Sequence, residues 1–296
     1  MSDLVIGTAQ LGLTYGKTNI TGKPSSELAN QIIKFAIDNN IKTFDTAREY
    51  GDSEKILSFV NDYTNDSCII TKLCKFDYAN ISEREIINKV YESINTSCLL
   101  LNINKLPVLL LHSYEYYKKN IIWNTLIDIK NKGIIDKIGV SVYNIDEAIA
   151  VLKDTHVEHI QLPINILDFR WNNKDFLDLV IKRKNLTLHV RSIFLQGILL
   201  NNETYWPENC NVKFYIEMLE KFQKKFNFSS KKELCLSYVK SFEWINGIII
   251  GVETIEQLKD NIELFNKVRK LREEEINIIK YEFKNTPIQL LDPRLW

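Results

Sequence analysis

Eight short runs rich in Ile, Val and Leu alternate with amphipathic stretches along the whole chain. The runs fall at residues 4–7, 43–47 (TFDTA), 68–73 (CIITKL), 107–112 (PVLLLH), 137–142 (KIGVSV), 159–165 (HIQLPIN), 187–192 (TLHVRS) and 247–252 (GIIIGV). Continuous apolar runs of this length read as strands buried on both faces, as in parallel sheets wrapped by helices. The intervening stretches carry helix signals. Ser25/Ser26 cap ELANQIIKFAIDNN, Ser82 and Glu85 form a capping-box pair, and Asn144 caps IDEAIAVLKD. SEKILSFVND reads as the helix after the second strand, and a last amphipathic helix starts at Glu273.

Two architectures satisfy this rhythm: an open doubly wound sheet and a (β/α)8 barrel. The first would place GxGxxG after the first strand, and the chain has none there. The expectation is a single (β/α)8 TIM barrel of parallel strands spanning 1–296, with its active site at the carboxyl ends of the strands. No long Pro/Gly/Ser linker divides it, and the one extended irregular stretch is 201–212, after the seventh strand.

Composition narrows the function. Net charge is zero, with 38 basic and 38 acidic residues, so no electrostatic reason exists to invoke nucleic acid or an anionic membrane surface. Five cysteines without a CxxC pair resemble neither a disulfide framework nor a zinc site. No run approaches the roughly 20 apolar residues of a membrane span, and MSDLVIGTAQLG lacks a signal-peptide pattern. A soluble cytoplasmic protein is expected, binding neither membrane nor metal, and acting as a monomer or a weak homodimer.

Asp45, Lys72 and His112 each lie at the end of an apolar run, and Tyr50 follows Asp45 by five residues. A barrel brings such strand ends together at one mouth. A carboxylate, an ammonium, an imidazole and a phenol gathered there form a candidate proton-donating site. Taken singly, each has a plain structural reading: a cap, a surface lysine, a core histidine or a tyrosine packed at a turn.

The segments IGTAQLG, FDTAREYG, ITKL, LLLH, KIGVSV, IQLPIN, the GIL after Gln196 and IIGVETIEQLKDNI resemble, in order, the signature segments of the aldo-keto reductases. The resemblance implies a nicotinamide-dependent oxidoreductase that reduces an aldehyde or ketone to an alcohol, with Tyr50 as proton donor. A sugar-like carbonyl compound is one candidate substrate. Tyrosine is a poor acid at its ordinary pKa of about 10, so Lys72 is expected to lower it, with Asp45 holding Lys72 and His112 orienting the carbonyl.

The resemblance also implies that Ser141 and Gln161 hold the nicotinamide carboxamide. Arg191 stands where the family stacks a tyrosine, and Ser192, Leu195 and Gly197 lie in the loop along the pyrophosphate. Gly251, Glu253, Gln257 and Asn261 fall at the adenosine end. Gly251 and Gln257 replace the basic residues usual in NADPH-preferring members. Glu253 would accept ribose hydroxyls and repel a 2′-phosphate, so the cofactor is NAD(H) or NADP(H) with a lean to NAD(H). Trp171 and Arg48 are expected at the substrate, a small-molecule carbonyl compound, and the tail LLDPRLW could fold over the mouth. A second reading is a catalytically weak NAD(P)H-binding regulatory or accessory protein on the same barrel.

Overall fold

In the computed structural model, which describes residues 2–64, 66–208 and 210–296, eight parallel strands pair in chain order and the last pairs with the first. They are β1 (Asp3–Gly7), β2 (Thr43–Asp45), β3 (Cys68–Lys72), β4 (Leu106–Leu111), β5 (Ile135–Ser141), β6 (His159–Pro163), β7 (Thr187–Arg191) and β8 (Gly247–Gly251). The sheet is a closed (β/α)8 barrel with helices between the strands, as expected.

Seven of the eight expected strands run one or two residues too far at the carboxyl end. The cause is that pairing continues past the regular strand. Thr46 N donates to Ile70 O at 2.8 Å, Leu73 N to Leu110 O at 2.9 Å, and Val142 N to Gln161 O at 2.9 Å. These extra bonds hold the first residues of the mouth as firmly as the strands beneath.

The expected caps form. Ser25 accepts from Leu28 N, Asn144 accepts from Glu147 N, and Ser82 with Glu85 completes a capping box. The stretch expected as one helix at 53–62 divides into Ser53–Ile56, a 3₁₀ turn Leu57–Phe59, and Val60–Tyr63. The irregular segment after β7 leads into a helix, Val212–Lys225, that the strand-and-helix alternation did not include. Its buried Tyr215, Met218, Leu219 and Phe222 follow helical spacing, so the signal was present.

Side chains alternate along each strand between the helical layer and the barrel interior. Ile6, Phe44, Ile69, Leu109, Ile160 and Ile248 join the continuous core beneath the helices. The residues between them face inward. Ile70, Val108 and Leu110 form a separate apolar cluster inside the barrel. In the same inward register, Asp45 pairs with Ile70 and Lys72 with Leu110, and Ser141, Gln161 and Arg191 face inward near the carboxyl ends of their own strands. Strand periodicity therefore converts an apolar interior into a polar mouth.

Two buried histidines fill the opposite part of the interior. His159 and His189 pack edge to face with ring centroids 4.4 Å apart, where the missing side chain of Gly247 leaves room for the His189 ring. A Cβ on Gly247 would lie 2.6 Å from the His189 ring. Burial holds both imidazoles below their ordinary pKa, His189 at about 4. An unfolded histidine titrates near 6.5, so on falling pH the unfolded chain takes up these protons first. The contribution is whole above about pH 6.5 and is lost as pH falls toward 4. For His189 it is worth about 3 kcal/mol, by the value of a pKa shift of this size. Urea unfolding of wild type and His189→Asn between pH 7 and 4 should give the variant the shallower acid dependence. Parallel curves would contradict this account.

Candidate active site

The centre of the mouth is a buried ion pair. Lys72 Nζ donates to Asp45 Oδ1 at 2.9 Å, to Oδ2 at 2.8 Å and to the Thr46 carbonyl at 2.8 Å. Lys72 is 1% exposed and Asp45 4%. All three ammonium protons are used, which is how so buried a charge is accommodated. Burial lowers the Lys72 pKa and the paired carboxylate opposes that shift. From the far side, Gln161 Nε2 donates to Asp45 Oδ1 at 2.6 Å. Because β2 and β6 are opposite in a ring of eight, this bond crosses the barrel.

Tyr50 stands above the pair, with Lys72 Nζ 5.0 Å from its ring centroid and the His112 ring packed edge to face at 5.9 Å. Its phenol is held well above the usual value, first by burial and then by the Asp45 carboxylate, with Arg191 opposing. This corrects the expectation that Lys72 lowers it: the ammonium is spent on Asp45, and the pair presents little net charge. Tyr50 is accordingly a protonated phenol, the form a proton donor must start from. His112 is pushed down to about 2 by burial and by the charges of Lys72, Lys75 and Arg191, so it is neutral. Its Nδ1 is buried with no described hydrogen-bond partner.

A cleft of about 390 Å³ opens over this cluster. Asp45, Tyr50, Arg191, Ser192, Gly197, Gly251, Glu253, Gln257 and Asn261 line it, as do Gln10, Tyr15, Thr18 and Lys232. Lys72, His112, Ser141, Gln161 and Leu195 are not in its lining. The first four stay tied to the mouth by the contacts above and by the bond from Arg191 Nη2 to Ser141 Oγ (3.4 Å), whereas Leu195 is fully buried in the core.

Trp171 and Arg48 are engaged elsewhere and do not line the cleft. Trp171 is buried against Phe176 and donates its indole N–H to Asp168, which Arg170 also binds. Arg48 pairs at 3.1 Å with Glu54, a fully buried carboxylate that also accepts from Thr71 Oγ1 at 2.6 Å. Both expected substrate residues thus serve internal anions. The tail does reach the mouth: Arg294, clamped by Asp292, lies 3.4 Å over the Tyr143 ring.

The 192–197 loop has an uncommon backbone. Ser192, Leu195, Gln196 and Gly197 all have positive φ, from 48° to 90°. Three non-glycine residues in this region represent strain that surrounding structure must hold, a feature concentrated at functional sites. A Cβ on Gly197 would lie 2.1 Å from Thr18 Oγ1, and one on Gly251 2.1 Å from Gln10 Oε1. The absent Cβ atoms let the Thr18 and Gln10 side chains close against the backbone of the cleft.

These residues fit a nicotinamide dinucleotide. Two buried amide oxygens, Gln161 Oε1 near the proton donor and Asn261 Oδ1 at the other end of the cleft, have no described partner. Asn261 lines the cleft and offers its oxygen to a ligand N–H, whereas Gln161 lies beneath the lining beside Asp45. Glu253 is engaged with Gln257 through both backbone and side chain. Lys232, half-buried at the same end, had no sequence signal, because a lysine pair opening a helix reads as solvated surface. Burial lowers its pKa, with Asp260 opposing.

Comparison with known proteins agrees with this geometry. The profile of the Aldo/keto reductase family matches residues 3–281. D-arabinose 1-dehydrogenase of Saccharomyces cerevisiae is 25% identical over 312 residues, covering 96% of this chain and 90% of that protein. Among solved structures, an aldo-keto reductase from Bacillus halodurans in its holo form has a TM-score of 0.75 at 19% identity, covering 95% of this chain and 91% of that one. A glycerol dehydrogenase from Gluconobacter oxydans has a TM-score of 0.73 at 20% identity, covering 98% and 94%. The chain belongs to the aldo/keto reductase family. It is an NAD(P)H-dependent oxidoreductase, and no helix among its described residues is long and apolar enough to cross a membrane.

Proposed function

We propose that the protein interconverts a sugar-like hydroxy-carbonyl compound and its alcohol, with Tyr50 as the proton donor. The observation that carries this reading is the protonated Tyr50 phenol lining the cleft directly above the buried Lys72–Asp45 pair. When bound, the nicotinamide supplies or takes up the hydride. Tyr50 delivers the proton that the carbonyl oxygen needs as negative charge develops on it. Lys72 and Asp45 fix each other beneath the ring, and the charge of Arg191, which opposes the rise of the phenol, favours the phenolate left behind. His112, neutral and beside Tyr50, donates one N–H to the same oxygen and orients it.

Gln161 and Ser141 hold the carboxamide, the 192–197 loop follows the pyrophosphate, and Gly251, Glu253, Gln257 and Asn261 receive the adenosine. The D-arabinose 1-dehydrogenase relative supports a hydroxylated substrate, as do the polar groups of Gln10, Tyr15, Thr18 and Asn201 in the cleft. Glu253 in the lining supports NAD(H) over NADP(H). The same reading has the protein acting in the cytoplasm as a monomer or weak homodimer, without nucleic acid.

The test is fluorescence titration with NADH and NADPH, followed by turnover on aldoses and simple aldehydes. Tighter NADH binding with turnover of at least one hydroxy-aldehyde is expected. An NADPH preference would overturn the cofactor assignment and direct attention to Lys232. Tight binding with no turnover on any carbonyl compound would replace the reductase by the nicotinamide-binding regulator.

A further inference from the structure

The barrel itself places Asp45, Lys72 and His112: the first closes β2, the second closes β3 and the third directly follows β4. Tyr50 is the exception. It lies beyond β2, on the turn that leads into the short helix Ser53–Ile56. Among the described residues none hydrogen-bonds its phenol oxygen, so the turn decides where the proton donor stands.

Two sets of bonds anchor that turn. The first is made of small neutral groups. Ser53 N and Oγ reach the Tyr50 carbonyl at 3.1 and 2.8 Å, and Ser53 Oγ also meets the Thr8 carbonyl at 2.7 Å. Thr8 donates in turn to the Asp45 carbonyl, from N at 2.9 Å and from Oγ1 at 3.0 Å.

The second set centres on a charge. Glu54 is fully buried; its Oε2 pairs with Arg48 Nη1 at 3.1 Å and its Oε1 accepts from Thr71 Oγ1 at 2.6 Å. Arg48 precedes Tyr50 and Glu54 follows it, so the ion pair closes the turn across its base. Thr71 is the neighbour of Lys72 on β3. Strand alternation turns Thr71 outward with Ile69, toward the helices, while Lys72 faces the mouth. Glu54 thus joins the segment carrying Tyr50 to the residue beside the ion pair beneath the phenol. Stability alone explains such a carboxylate poorly, because apolar side chains of similar volume often replace a buried ion pair without loss. What they cannot supply is two directed bonds to fixed partners.

We propose that Glu54 is a positioning residue for the proton donor. Its carboxylate, held by Thr71 on one side and Arg48 on the other, sets where the Tyr50 phenol stands over the Lys72–Asp45 pair, and so whether it reaches the carbonyl oxygen. The proposal rests on the reductase reading above, with Tyr50 as donor, and adds the group that keeps that donor in place.

The experiment compares wild type, Glu54→Leu, Thr71→Val and Thr71→Ser, and repeats Thr71→Val in a Tyr50→Phe background. Single-turnover NADH oxidation gives the rate, steady-state turnover gives KM, and fluorescence titration gives NADH affinity. Sites are counted by the same titration, so unfolded protein does not enter the rate. Glu54→Leu and Thr71→Val should slow the reaction about tenfold to hundredfold, the cost of a small misplacement of a reacting group. KM and the NADH dissociation constant should each move by less than about threefold, because the lost interaction serves the transition state. Thr71→Ser keeps the hydroxyl and should stay near the wild-type rate. In the Tyr50→Phe background, Thr71→Val should cost no further rate, since a residue acting through the phenol has nothing left to place.

Should Glu54→Leu not fold, Thr71→Val carries the test. An unchanged rate per site in Thr71→Val, whatever its stability, overturns the proposal and leaves Glu54 to the fold alone. An equal loss in Thr71→Ser assigns the effect to the methyl group, and an equal loss in the Tyr50→Phe background assigns it to something other than the phenol; either result overturns it too. No turnover by wild type on any carbonyl compound, or no loss in Tyr50→Phe, overturns the reading of Tyr50 as donor, and this proposal falls with it.

Discussion

Tyr50→Phe is expected to lower kcat on any accepted carbonyl compound by about 10²–10⁴-fold, the usual worth of general acid catalysis. Nicotinamide affinity should change by less than about threefold, because no contact assigned to the cofactor involves the phenol oxygen. The ring that packs against His112 is retained, so the fold should hold. Stopped-flow measurement of NADH oxidation, with a binding titration on the same preparation, separates the two quantities. Equal turnover in wild type and Tyr50→Phe would remove Tyr50 from the chemistry. Parallel loss of binding and turnover would instead make it part of the cofactor seat.

Lys72→Met should affect both stability and activity. It removes the ammonium and leaves the Asp45 carboxylate buried with one described side-chain donor, Gln161. Breaking a buried ion pair from one side costs about 3–5 kcal/mol. Lys72→Met/Asp45→Asn should recover part of that loss, because it no longer strands a charge. Activity should stay low in both variants, since the ion pair that forms the floor beneath Tyr50 is gone. Urea denaturation of wild type, both single variants and the double variant closes the cycle. Additive effects in the double variant would mean that the pair contributes no coupling of its own.

Much of this mouth was legible because strand ends are the most predictable positions of a barrel. Asp45, Lys72 and Arg191 each close a strand, and an inward side chain there can point only into the mouth. Ionic partners were not legible where they come from elsewhere in the fold. Arg48 is held by Glu54, whose other partner, Thr71, comes from the next strand. Trp171 follows Asp168 closely in the chain, yet only the folded turn makes the carboxylate its acceptor. Lys232 and Tyr143 escaped notice for the opposite reason: nothing local distinguishes them, and their importance comes from the cleft and from the two guanidinium groups that find them. The phenol's acidity was misread because a lone lysine and a neutralised lysine look identical as letters.

The bond from Gln161 to Asp45 has a mechanical consequence. A ring of eight staves held only by neighbour-to-neighbour ties can ovalise at its rim, and any such distortion would change the distance between the two rim groups that must meet one substrate. A crossbar from the sixth stave to the second, 2.6 Å from donor to acceptor and anchored on a carboxylate already locked to the third, stiffens that rim along its diameter. The residue assigned to steady the cofactor and the one that steadies the proton donor are thus parts of one truss, so a load applied at either end is felt at the other.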